Sequence, residues 1–265
     1  MACFSEMKEA KMKMENLDRE TDFFSATRAG HVAVIQFKHA QSDWILHLDG
    51  WRYALAYLDV VSLEACVKIV VLVHQPGAFV GRRRCFKVYD HLRDGRIESA
   101  PLREVHDLLD QYLLRIMGSS KFFIDVHSGS MILDSLLLSF ACDYRIMADT
   151  ATVQNPAAHA GLIPRGTGVF LFRRVLGSTH TYDLLLSDEQ IRADELLRLG
   201  LVDKVVPLHQ LPFTALETAG RFAGKSGALL ADVKKLVNHG ICELREYLNL
   251  EKSVSAWAGD SSEPQ

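Results

Sequence analysis

Residues 121–148 read KFFIDVHSGSMILDSLLLSFACDYRIMA, and this stretch decides the fold. Phe122 to Val126 is short, apolar and β-rich, so it reads as a buried strand. Gly129 breaks it, and an apolar helix follows through Leu136, Leu137, Leu138, Phe140 and Ala141. Tyr144 to Met147 returns to strand. Strand, helix and strand in that order predict α/β layering.

The same grammar extends outward. Val32 to Phe37 reads as a strand, and Lys68 to His74 as a strand covered on both faces. Gly50 to Glu64 places Trp51, Leu55, Leu58 and Val61 on one helical stripe. Pro76-Gly77 marks a turn, and Pro101 opens a helix that runs to Gly118. Gly161, Gly166 and Gly168 make a glycine-rich loop ahead of Val169–Leu176, and Thr181 begins another helix. After Pro207 the chain turns helical and mixed-charge: 211–223, 229–239 and 242–256.

Composition narrows the function classes. In 265 residues, 48% are apolar and 24% charged, ordinary for a globular chain. Thirty Lys plus Arg against thirty-three Asp plus Glu gives −3, so no global field draws the chain to nucleic acid or anionic membrane. The five cysteines are scattered without a C-x-x-C pair. They read as reduced thiols, no metal site is expected, and the location expected is cytoplasmic. The aliphatic run Ile69–Val73 is far short of the roughly 20 residues that span a bilayer. The expected organisation is a lead-in over 1–22, frayed or disordered, a core over 23–207, a helical region over 208–258 and a disordered tail over 259–265.

Several motifs stand in series from Lys121 to Pro207. Ala141-Cys142-Asp143-Tyr144-Arg145-Ile146 enters a strand. Asn155-Pro156 precedes Gly161-Leu162-Ile163-Pro164, and Arg173-Arg174-Val175-Leu176-Gly177 follows. Then come Leu184-Leu185-Leu186-Ser187, Ala193-Asp194-Glu195 and Gly200-Leu201-Val202-Asp203-Lys204-Val205-Val206-Pro207. In order and spacing this resembles the crotonase (enoyl-CoA hydratase/isomerase) superfamily. The resemblance implies a spiral of ββα units with a C-terminal helical region between subunits. It also implies a homo-trimer or a dimer of trimers, with no permanent cofactor and a coenzyme A thioester as ligand. The thioester oxygen would be held by two backbone N–H groups, near Val80 and near Asp134, because an oxyanion is stabilised by preorganised amides.

The departures are specific. Where the family carries a glycine run, this chain has Leu133, Asp134 and Ser135. The two catalytic glutamates of the hydratases fall at Leu137 and Ala157, neither of which can exchange a proton. Ordinary hydration is therefore expected to be absent or slow. Asp134 reads either as an N-cap or first-turn residue favoured by the helix dipole, or as a pocket carboxyl that moves a proton. His159, two residues past Ala157, is a candidate displaced base. Arg165 in the glycine-rich loop is a candidate carboxylate clamp or a surface arginine. His127 and Ser130 form a weak candidate nucleophile pair. Arg82, Arg83 and Arg84, and Lys235 beside Lys234 on a late helix, are candidates for coenzyme A phosphates, against a solvated charged loop and exposed helix lysines. Two readings remain: a divergent acyl-CoA lyase, isomerase or hydrolase, or a catalytically silent homologue that binds acyl-CoA or partners an oligomer.

Overall fold

The computed structural model describes residues 17–38, 48–74, 82–96, 99–162 and 168–254. Strands β1 (Arg19–Glu20), β2 (Phe24–Ala29) and β3 (Val32–Phe37) open the chain. Helix α1 (Leu48–Leu63) leads to β4 (Ile69–His74), and helices α2 (Arg82–Arg93) and α3 (Ser99–Gly118) follow it. Next come β5 (Phe122–His127), β6 (Met131–Ile132), α4 (Leu133–Ser139), β7 (Tyr144–Ala148), β8 (Thr152–Gln154) and α5 (Pro156–His159). The remainder is α6 (Gly168–Leu186), β9 (Ile191–Arg192), α7 (Ala193–Arg198), β10 (Lys204–Val206), α8 (Leu211–Ala223), α9 (Gly227–Val237) and α10 (Ile241–Val254).

Seven strands form one sheet in the order β1-β2-β3-β4-β5-β7-β10, and β6-β8-β9 form a second. The β1–β2–β3 meander is antiparallel, and every pairing from β3 to β10 is parallel. Parallel strands need crossovers that cover both faces, which explains the continuous apolar runs in β4 and β5. Alternate residues divide between two cores. Val70, Leu72 and Phe123 face Trp51 and Leu58 of α1 and Leu113 of α3. Ile69, Val71 and Ile124 face Leu133 and Leu136 of α4, Phe172 of α6 and Ala215 of α8.

One sequence expectation needs correction, and another meets the described residues only in part. Of the expected lead-in over 1–22, residues 17–22 are described: the Leu17 side chain is buried, the Tyr57 hydroxyl donates to its carbonyl at 2.6 Å, and β1 pairs with β2. Arg82, Arg83 and Arg84 begin helix α2 and are not part of a charged loop. Among the described side chains, the α2 face against the protein is Phe86, Val88, Tyr89 and Leu92, too sparse to outweigh an arginine run in the sequence. Elsewhere the elements follow expectation closely. The two helical segments on either side of Gly177 form one interrupted helix, with Gly177 at φ 71° making the kink.

The Ala141–Ile146 motif is architectural. Asp143 Oδ2 accepts the Phe123 amide at 2.8 Å and the Lys234 ammonium at 2.7 Å, and Lys234 also donates to the Lys121 carbonyl at 2.9 Å. The Lys234 Nζ lies 4.7 Å from the centroid of the Phe123 ring. Arg145 meets Asp203 at 2.9 Å, anchoring the segment before β10. Burial pushes the Asp143 carboxyl up against the opposing pull of Lys234, and pushes the Lys234 ammonium down. The pair thus pins α9 to the sheet at a considerable desolvation cost.

Candidate functional site

The site is built where chain leaves the carboxyl ends of β4 and β5. The β5 chain passes through β6 into α4, whose N-cap is Ile132 in extended geometry without a side-chain cap. Asp134 is therefore a first-turn residue and not the N-cap, and its charge suits the positive end of the helix. The β4 chain leads to α2, and the Tyr89 hydroxyl donates to Asp134 Oδ2 at 2.9 Å. Tyr89 is buried in a small apolar cluster with Ile132, Ala157, Ala160 and Leu92. Two segments that part at the sheet thus rejoin at a phenol–carboxylate bond.

Leu137 and Ala157 are both fully buried. Ala157 packs beside Tyr89, so a phenol and a carboxylate occupy the neighbourhood of that position. Asn155 caps α5 by accepting the Ala158 amide at 3.1 Å, and its amide nitrogen donates to the Leu185 carbonyl at 3.0 Å. This fixes Ala157 against the cluster.

The other candidates separate. His159 is half exposed, sits 3.5 Å from Asp188 and packs edge-on against Phe86 with ring centres 4.9 Å apart. Ser130 and His127 do not form a nucleophile pair, because Ser130 shares a 2.8 Å hydrogen bond with Thr152 and His127 is committed to Asp125. Lys235 is exposed on α9, while Lys234 is consumed by Asp143 and is not open to a phosphate. Val80 and Arg165 lie outside the described residues, as do the side chains of Arg82, Arg83 and Arg84.

A second polar group escaped the sequence reading. Parallel pairing sets Leu72 opposite Asp125 and His74 opposite His127. The His74 Nε2 lies 2.9 Å from one Asp125 oxygen, and the His127 Nε2 lies 2.5 Å from the other. Phe37, His74 and His127 stack across three strands, with ring centres 5.0 and 4.4 Å apart. The Asp125 side chain is 2% exposed, His127 5% and His74 12%. Burial alone would raise the Asp125 carboxyl, but the charges and hydrogen bonds of His127 and His74 outweigh it and hold it well below the usual carboxylate range. Burial pushes the His74 imidazole down, with Asp125 opposing. The available signal was an aspartate and a histidine at period two inside an otherwise apolar strand.

Three metal-ligand side chains so close together raise the question of an ion. The two imidazole planes are parallel within 4° and stacked. A ligating lone pair lies in the ring plane, so one ion cannot lie in both planes. The arrangement instead suits two Nε2–H groups donating to one carboxylate.

With this geometry in hand, likeness to known proteins becomes informative. The model of the enoyl-CoA hydratase/isomerase family matches residues 90–261. The chain belongs to that family. It is 29% identical over 175 residues to a probable enoyl-CoA hydratase of Mycobacterium tuberculosis, covering 64% of this chain and 60% of that one. It is 30% identical over 118 residues to a short-chain-enoyl-CoA hydratase of Clostridium acetobutylicum, covering 44% and 45%. The chain thus spans three fifths or less of these relatives' length. An enoyl-CoA hydratase structure from Bacillus halodurans superposes with a TM-score of 0.78 at 21% identity, over 88% of this chain and 93% of that one. Pseudomonas aeruginosa DspI gives 0.68 at 23% identity, over 89% and 88%. These structural likenesses establish the crotonase fold. Among the described residues, no helix is long and apolar enough to cross a membrane.

Proposed function

We propose that this family member is an acyl-CoA-binding enzyme that polarises a thioester carbonyl and moves protons without the two-glutamate water chemistry of a hydratase. The observation carrying this reading is the Tyr89–Asp134 bond beside Ala157. It puts an ionisable carboxyl and a phenol next to one of the positions where the resemblance expects a catalytic glutamate. In this reading the amides of Val80 and Asp134 hold the thioester oxygen, where a developing enolate gains more than the ground-state carbonyl. Asp134 exchanges a proton with the substrate, and Tyr89 orients it. Water activation is weak, because Leu137 and Ala157 supply no base.

Arg82, Arg83 and Arg84 at the head of α2, with Lys235, are the proposed contacts for the coenzyme A phosphates. The proposed setting is cytoplasmic. The proposed assembly is a homo-trimer or a dimer of trimers. Supporting it, Leu229, Val233, Leu236 and Val237 make an exposed apolar stripe on α9, and Phe213 and Leu216 are exposed on α8. A silent acyl-CoA-binding or oligomer-partner homologue is the second reading, favoured by the apolar, fully buried Leu137 and Ala157.

The test begins with acetyl-CoA and free CoA binding, followed by turnover on a panel of thioesters with Asp134→Asn as control. Binding with turnover that Asp134→Asn abolishes supports the enzyme. Binding without turnover on the whole panel supports the silent homologue. Absence of binding ends both acyl-CoA readings. Crotonyl-CoA hydration faster than about 10 s⁻¹, the rate of a median enzyme, would contradict the expected loss of hydratase activity.

A further inference from the structure

We propose that Gln154 is a specificity-determining residue whose buried carboxamide receives a hydroxyl carried on the acyl chain of the bound thioester. The proposal rests on the acyl-CoA reading above and deepens it by naming the kind of acyl group the site selects.

Strands β6 and β8 run parallel, and Gln154 is the register partner of Ile132. Side chains alternate along a strand, and paired residues share a face. One step earlier, Met131 and Val153 are partners, and both lie in the core with Leu133 and Leu136. Ile132 turns the other way, into the cluster of Tyr89, Ala157 and Ala160. Gln154 therefore lies on the Ile132 side, on a strand about 4.8 Å from it. The chain beyond Ile132 enters the first turn of α4, where Asp134 accepts the Tyr89 hydroxyl at 2.9 Å. The chain beyond Gln154 enters α5, which carries Ala157. Gln154 is thus tied by backbone pairing to the Asp134 segment and by sequence to Ala157.

Gln154 is 7% exposed, and its Oε1 is buried with no hydrogen-bond partner among the described residues. The polar side chains beside it in sequence are paired. Ser130 and Thr152 bond each other at 2.8 Å. The Asn155 oxygen accepts the Ala158 amide, and the Asn155 nitrogen donates to the Leu185 carbonyl. A buried acceptor left without a donor carries its full desolvation cost, which an apolar residue of the same shape would avoid. Packing alone gives no reason for an amide at this position, whereas a ligand that completes its hydrogen bond does.

The chemistry of the amide selects the group. A plain alkyl chain leaves it unsatisfied, and a carboxylate would repel its oxygen. A hydroxyl both donates and accepts, so it satisfies the carboxamide whichever end is turned to the ligand. That hydroxyl arrives with the substrate, since Leu137 and Ala157 supply no base to add water. A site with a polar group placed for a hydroxyl discriminates strongly against the analogue that lacks it.

The experiment compares butyryl-CoA with 2-, 3- and 4-hydroxybutyryl-CoA by calorimetric titration of wild type and of Gln154→Met. Methionine keeps the length of the side chain and deletes its hydrogen bonding. In wild type at least one hydroxybutyryl-CoA should bind about 10-fold or more tighter than butyryl-CoA. In Gln154→Met that preference should shrink to about twofold or less. The variant should melt no lower than wild type, because the amide oxygen has no internal hydrogen bond to lose. Equal affinities in wild type, or a preference that survives in Gln154→Met, overturns the proposal while leaving acyl-CoA binding intact. So does a Gln154→Met protein that melts more than about 4 °C lower or fails to fold, since the amide would then be serving the fold. Failure of every thioester to bind wild type removes the acyl-CoA reading itself, and this proposal with it.

Discussion

Replacing Lys234 with Met tests how the late helices are held to the sheet. The Lys234 side chain is 3% exposed and Asp143 12%. Met fills the aliphatic stem but removes the 2.7 Å bond to Asp143, the 2.9 Å bond to the Lys121 carbonyl and the cation over Phe123. Removing one partner of a buried pair costs about 3–5 kcal/mol. Asp143 keeps the Phe123 amide and, because burial already raises its pKa, can escape part of the penalty by taking a proton. The lower half of that range therefore applies, about 3–4 kcal/mol. At roughly 2–4 °C per kcal/mol for a chain of this size, the melting temperature should fall by about 6–16 °C. A carboxyl that protonates to relieve its burial makes the loss smaller at pH 5 than at pH 8. The double variant Lys234→Met with Asp143→Asn removes the orphaned charge but keeps an acceptor for Phe123, so it should regain at least half of the loss. Scanning calorimetry at both pH values reads all of this. A Lys234→Met protein melting within about 2 °C of wild type, or a double variant no better than the single, would refute the reasoning.

Other outcomes follow from the same geometry. Tyr89→Phe keeps the buried ring and deletes one hydrogen bond to a carboxylate; stability should fall by about 1.5–3 kcal/mol in urea titrations. Turnover of any active thioester should drop by at least 10-fold, about 1.4 kcal/mol at the barrier. Ala157→Glu forces a carboxylate into a fully buried position; it should lower the urea midpoint by the equivalent of about 3 kcal/mol or more without creating fast crotonyl-CoA hydration. For pH, burial depresses His74 below its unfolded value near 6.5. The unfolded chain then takes up the proton first as pH falls. Stability is full above about pH 6.5 and erodes below it. The lowered Asp125 carboxyl acts in the same direction nearer pH 4. Urea midpoints at pH 7.5 and 5.5 should show this loss in wild type and a smaller one in His74→Gln.

What the sequence disclosed depended on whether the signal was local. β4, β5 and α4 were readable because their apolar runs are continuous and punctuated by Gly129. The helix starting at Arg82 was not, since three arginines in a row look like solvated loop and its apolar face holds few residues. Asp134 could be singled out by its place in a family motif, but its partner Tyr89 could not, being 45 residues away on a helix the sequence hid. His74, Asp125 and His127 meet only through the register of two parallel strands, with Leu72 opposite Asp125. That register is fixed by which faces are buried and by the crossovers, neither of which is a local property. The motif residues Asp143 and Arg145 were readable as a family mark, while their work of pinning α9 and the Asp203 segment emerged only from contacts distant in sequence.

The most direct test of the central claim is calorimetric titration of wild-type protein with butyryl-CoA and free CoA, run beside the Asp134→Asn variant and followed by a turnover assay of both proteins. Saturable, one-site binding of the thioester is expected, retained by Asp134→Asn while its turnover is lost. A thioester that releases no heat and shows no saturation at millimolar concentration would contradict it.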